Sequence, residues 1–158
     1  MLFHDRLKMV FAVLLGVQFL IVALHDLVDI RGWVHGSQVR AVIGRRKAIL
    51  ATAINALFPG VAVVLAFAAL FGPVPRFAAP YPLVYCAITV ISAIAMWYVP
   101  YWFGTDEKTA REYEAMYAGT LQVLPARGGN PRPNLAHLCF HALFAANLGI
   151  ATALAVGA

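Results

Sequence analysis

Four long apolar intervals, at 9–25, 48–75, 77–105 and 133–158, contain no Asp, Glu, Lys or Arg, and the N-terminal residues and the segments between the intervals hold all of the charge. Each interval can supply the roughly 17 to 25 residues that a helix needs to cross about 30 Å of hydrocarbon. Their unbroken apolarity does not suit the alternating strands of a barrel, and helices are what keep backbone groups paired in lipid. The pattern therefore predicts an all-α integral membrane four-helix bundle: a single domain over residues 1–158 with spans near 8–28, 48–71, 82–103 and 134–156. The first interval follows basic residues, as a signal peptide would, but no small-x-small cleavage site comes after it, and it reads as a retained span.

The connections differ in character. Gly72, Pro73, Pro75, Pro80 and Pro82 punctuate the second, which predicts a tight surface turn. The third is more organised. Thr105 and Asp106 can cap a helix, and Tyr113, Met116, Tyr117, Thr120 and Leu124 recur at helical spacing. A short amphipathic cytoplasmic helix is expected there, followed by an irregular Arg-bearing stretch from Pro125 to Pro133.

Composition supports lipid as the solvent. At 62% hydrophobic and 12% charged, 158 residues offer too little polar surface for a water-soluble globule. The net charge of +5 suggests no nucleic acid, because the basic residues flank the apolar runs instead of forming a basic domain. They set orientation instead. The first and third connections hold nine Lys and Arg (Arg31, Arg40, Arg45, Arg46, Lys47, Lys108, Arg111, Arg127, Arg132), against three (Arg6, Lys8, Arg76) on the other side. By the positive-inside rule both termini lie outside the cytoplasm.

With that topology, polar groups from all four spans fall at one level, in the cytoplasmic leaflet. His25, Asp26 and Asp29 end span one, and Asn55 lies about two turns into span two. Tyr98 is near the end of span three; Asn134, His137 and His141 begin span four. Ionisable groups inside a membrane usually face the bundle interior. A ligand-binding pocket of His25, Asp26, Asn55, Tyr98, Asn134, His137 and His141 is expected. His137 and His141 share a helix face at i,i+4. With His25 they have the ligand types for a divalent metal or haem. The same residues can instead titrate protons or hydrogen-bond between helices.

Other chemistries lack motifs. Ser37 and Ser92 are the only serines and neither stands in a nucleophile elbow; no phosphate-binding loop is present. Cys86 and Cys139 form no C-x-x-C pair and are expected to stay unpaired.

The residues His25-Asp26, Arg40, Lys47, Thr52-x-Ile54-Asn55, Leu124-Pro125 and Asn130-Pro-Arg-Pro-Asn134-x-x-His137-x-x-x-His141 together resemble an uncharacterised family of small bacterial four-span integral membrane proteins. The resemblance runs from about residue 25 into the last span. It implies the same fold and a bacterial inner membrane, with no activity to carry over. Where that family has a Pro-containing, Asn-Asp-bearing stretch after the His-Asp pair, this chain has Asp29-Ile-Arg-Gly-Trp-Val-His35. The expected function is binding or transport of a small ligand, with the interior of four short helices pointing to a homo-oligomer or a membrane-complex partner. The alternatives are a metal- or haem-binding enzyme or electron-transfer subunit, and an accessory subunit.

Overall fold

The computed structural model describes residues 2–157. Its elements are helix α1 (Leu2–Leu24), a hairpin of β1 (Asp29–Ile30) and β2 (Val34–His35), α2 (Gly36–Ile43), α3 (Arg45–Phe71), α4 (Tyr81–Ala93), a π-helical turn (Ile94–Tyr98), α5 (Val99–Phe103), α6 (Glu107–Tyr117) and α7 (Leu135–Val156). Four helices are long and apolar enough to cross a membrane: Phe3–Leu24, Arg45–Phe71, Tyr81–Phe103 and Leu135–Val156. The second, third and fourth begin within a few residues of expectation. The first differs. It starts well before residue 8 and ends at Leu24, so His25 and Asp26 lie in the turn that follows it and not in its last turn.

The four spans close into a ring in the order α1, α3, α4, α7, with α1 on α3 the most extensive seam and α3 on α4 the slightest. The core consists of Phe11, Ala12, Leu15, Ala62, Ala66, Tyr85, Cys86 and Ala151. Its alanines suit lipid, where small residues let helix backbones approach and van der Waals contact replaces the hydrophobic drive. Cys86 is buried, Cys139 is exposed, and both are free thiols.

The first and third connections, which carry the nine cations, fold together over one end of the bundle, here called the Arg-rich end. Glycine makes this possible at two points. Gly44, at φ 87°, separates α2 from α3 in a conformation that other residues rarely adopt. Gly36 packs so closely that a Cβ would lie 2.6 Å from the Asp26 carbonyl oxygen. The hairpin pairs Asp29 with His35 and Ile30 with Val34, and α2 packs on α6. Gly32 and Leu135 then clip the two connections together, the Leu121 amide donating to the Gly32 carbonyl at 2.7 Å and the Leu135 amide to the Leu121 carbonyl at 2.8 Å.

Helix α6 begins as expected, with the Asp106 carboxylate accepting from the Thr109 amide at 2.9 Å. It stops at Tyr117, so Thr120 and Leu124 lie beyond it, past a Gly119 at φ 74°. Its apolar face meets the bundle and not the lipid. Tyr113 and Tyr117 pack on Trp97, with ring centroids 5.0 and 5.1 Å away. Pro100 gives this contact a polar component. Having no N–H, it leaves the Met96 carbonyl without its helical donor, and the Tyr113 hydroxyl donates there at 3.0 Å.

Candidate functional site

His25 and Asp26 form the centre of the polar cluster at the Arg-rich end. His25 Nδ1 faces the carbonyls of Ile21 and Val22 at 3.2 and 3.1 Å, and its Nε2 lies 3.2 Å from Asp26 Oδ1. Both ring nitrogens face acceptors. Carbonyls cannot donate, so Nδ1 carries a proton, while Nε2 faces the carboxylate. The other carboxylate oxygen receives the Thr52 hydroxyl at a long 3.5 Å, and Arg40 donates to the Asp26 backbone carbonyl at 2.9 Å. The turn is thus held by α2, α3 and its own helix end.

The start of α7 supplies the opposite wall. Asn134 is its N-cap, and Asn134 Oδ1 accepts the His137 amide at 2.9 Å and lies 2.7 Å from His137 Nδ1. A backbone N–H can bond only to the oxygen of that amide, so His137 Nδ1 must be the donor and the lone pair of the neutral ring sits on Nε2. That nitrogen has no hydrogen-bond partner among the described residues, although His137 is only 6% exposed. The ring lies over Trp97, with centroids 3.9 Å apart, meets Tyr117 edge-on at 5.0 Å, and is 6.3 Å from His25. One turn further on, His141 Nδ1 is 3.3 Å from the Tyr98 hydroxyl. Burial pushes the Tyr117 phenol well above its ordinary range, and the Asp26 charge adds to this. Burial also raises the Tyr113 phenol.

The structure therefore brings together His25, Asp26, Tyr98, Asn134, His137 and His141 as the sequence suggested. Asn55 is not brought into this group. It is exposed and has no side-chain hydrogen bond among the described residues, while Thr52, 4% exposed, takes the contact with Asp26. Among the described residues, no three His, Cys, Asp or Glu side chains converge as a metal ion requires. His137 and His141 have ring centroids 6.0 Å apart, and the described contacts of His137 are with Asn134 and neighbouring rings.

Several contributors escaped the sequence reading. Trp97, within the π-helical turn and 8% exposed, was not among the residues expected at the site. Deeper in the bundle, Gln18 Nε2 donates to the Tyr85 hydroxyl at 2.7 Å and Asn147 Nδ2 donates to Gln18 Oε1 at 2.6 Å. Gln18 and Asn147 are fully buried, and Asn147 Oδ1 has no partner among the described residues. Two amides and a phenol on three different helices carry no shared spacing, so only the depth of each within its span could have linked them.

Fold and site define a small four-span membrane protein with an imidazole, carboxylate and aromatic cluster at its Arg-rich end. No family model, curated protein or solved structure matches the chain.

Proposed function

We propose that this protein binds a small hydrogen-bond-donating ligand at the cluster of His25, Asp26, Tyr98, Asn134, His137 and His141, and that binding serves transport across a bacterial inner membrane. The observation that carries the reading is the buried His137 ring, whose Nε2 lone pair is left without a donor while Asn134 fixes its tautomer. That lone pair keeps some access to the surroundings, and a ligand N–H or O–H can donate to it. Asp26, 3.2 Å from His25, whose ring centroid is 6.3 Å from that of His137, offers a second acceptor. The nine-to-three excess of Lys and Arg places the cluster on the cytoplasmic side. Reporter fusions at Gly36 and Gly128 then report cytoplasm, and a fusion after Ala158 does not.

Thermal unfolding in nanodiscs with methylammonium, guanidinium or glycerol tests the binding. A ligand that binds only the folded protein raises its stability with concentration. At least one of the three raises the melting temperature of the wild type, and His137→Phe and Asp26→Asn abolish the rise. A wild-type protein indifferent to all three would refute the reading.

A further inference from the structure

Away from the Arg-rich end the chain has three Lys and Arg, namely Arg6, Lys8 and Arg76, and two of them line one cavity. This cavity, of about 750 Å³, lies between the start of α1, at Asp5, Arg6, Lys8 and Met9, and the end of α3, at residues 69–73. It stands at the mouth of the α1–α3 seam. At about 100° per residue, Asp5 is within about 20° of Ala12, Lys8 within about 20° of Leu15, and Ala69 within about 20° of Ala62. Ala12, Leu15 and Ala62 are buried in the core. The helix faces that meet deeper in the bundle thus continue into the walls of the cavity.

The two walls differ in polarity. Arg6 and Lys8 make no ion pair or side-chain hydrogen bond among the described residues, and neither does Asp5. Opposite them, α3 ends without a cap. The Gly72 N–H reaches no backbone carbonyl among the described residues, and Pro73 and Pro75 have no N–H to give. The carbonyls of the last turn, among them those of the lining residues Ala69, Leu70 and Phe71, are therefore acceptors without a backbone donor, at the negative end of the helix dipole. Met9, Leu70 and Phe71 add apolar lining, and Phe71 is 89% exposed. Lys8 is the last charge before the apolar interval 9–25, so the cavity lies where hydrocarbon meets water.

From these walls we infer that the cavity holds the headgroup of a phospholipid bearing a primary ammonium, with its phosphate against Arg6 and Lys8 and its ammonium against Asp5 and the carbonyl end of α3. A phosphate alone satisfies the cations and leaves the carbonyls without donors. A primary ammonium brings three N–H donors to them, whereas a trimethylammonium brings the charge and no donor. The volume is within the range of small-molecule sites. Lining by Met9, Leu70 and Phe71, at the edge of hydrocarbon, suits acyl chains and favours a lipid over a soluble phosphate ester. The site lies at the opposite end of the bundle from His25 and His137, and it stands or falls independently of binding there.

The test is native mass spectrometry of the detergent-solubilised protein titrated with dioleoyl phosphatidylethanolamine, its mono- and dimethyl derivatives, and dioleoyl phosphatidylcholine. These share phosphate and chains and lose one N–H at a time, so retention falls stepwise along the series. Arg6→Gln and Lys8→Gln each lower retention of the ethanolamine lipid about threefold, the equivalent of about 0.6 kcal/mol for a partly exposed ion pair, and together about tenfold. Lys8→Arg keeps the charge and the retention. Arg76→Gln, which removes a cation of the same end outside the cavity, leaves retention unchanged. Equal retention of the ethanolamine and choline lipids would overturn the assignment, as would a loss in Arg76→Gln equal to that in Lys8→Gln, which would reduce the effect to net charge. Glycerophosphoethanolamine, the same headgroup without chains, separates the sources: if it displaces the lipid, the cavity belongs to a soluble phosphate ester and the lipid is refuted.

Discussion

Replacing Gln18 by Leu removes the central member of the buried polar chain while keeping side-chain volume close to native, which limits any cavity contribution. Gln18 makes two hydrogen bonds, at 2.7 Å to Tyr85 and 2.6 Å to Asn147, and none of its surface is exposed. Interhelical hydrogen bonds in membranes average about 0.6 kcal/mol and reach about 1.7. Two of them give about 1.2 kcal/mol, and the substitution also strands Asn147, whose Oδ1 is already unpaired. The expected loss is about 1–2 kcal/mol. Asn147→Leu removes one bond together with the orphan oxygen, so it costs about 0.6 kcal/mol or less. The double substitution leaves no stranded amide, and replacing both partners with apolar groups can be close to neutral. Its cost therefore falls below the sum of the single costs by about 0.6–1.7 kcal/mol. Equilibrium unfolding in bicelles, followed by steric trapping or by SDS titration, measures all three variants. Costs that add within about 0.3–0.5 kcal/mol, the range for independent sites, would show that the chain of bonds does not couple α1 to α7.

Three further outcomes follow from particular contacts. Tyr113→Phe leaves the Met96 carbonyl, already deprived of a donor by Pro100, without a partner; a loss of about 1 kcal/mol speeds hydrogen exchange in α6 about fivefold, and in a Pro100→Ala background the effect is smaller because an N–H is restored. Gly36→Ala drives a Cβ to within 2.6 Å of the Asp26 carbonyl and 2.8 Å of the Val28 carbonyl, which lowers thermal stability by about 1–3 kcal/mol, and an unchanged melting temperature would contradict the packing. Asp29 is held below the ordinary carboxylate range first by the Ser37 amide, at 2.9 Å, and then by its hydroxyl, at 2.8 Å. A depressed folded value stabilises above the unfolded pKa of about 3.9 and is lost as pH falls through the lower folded value. The Ser37 amide resonance should therefore shift with acid below about pH 4, and Asp29→Asn should remove that titration.

The sequence by itself determined the four spans, because a charge-free interval longer than the hydrocarbon thickness has only one way to satisfy its backbone in lipid. It also determined the cap of α6 at Asp106 and the meeting of His25, Asp26, Asn134, His137 and His141 at one end, since depth along a span follows from counting residues. What it left open was rotation and closeness. Asn55 and His141 lie about equally far into their spans, yet Asn55 stays uncovered, because counting residues fixes depth and leaves rotation and neighbours to the packing. Trp97 is buried at the π-helical turn, and α6 docks on it through the Tyr113 and Tyr117 rings, with the Tyr113 hydroxyl donating to the Met96 carbonyl beside it. Gln18, Tyr85 and Asn147 are separated by 67 and 129 residues within their two bonds. No local spacing can announce a contact of that range; only the packing of three helices around one core brings such amides within hydrogen-bond reach, and lipid, having no donors or acceptors of its own at that depth, makes their pairing matter.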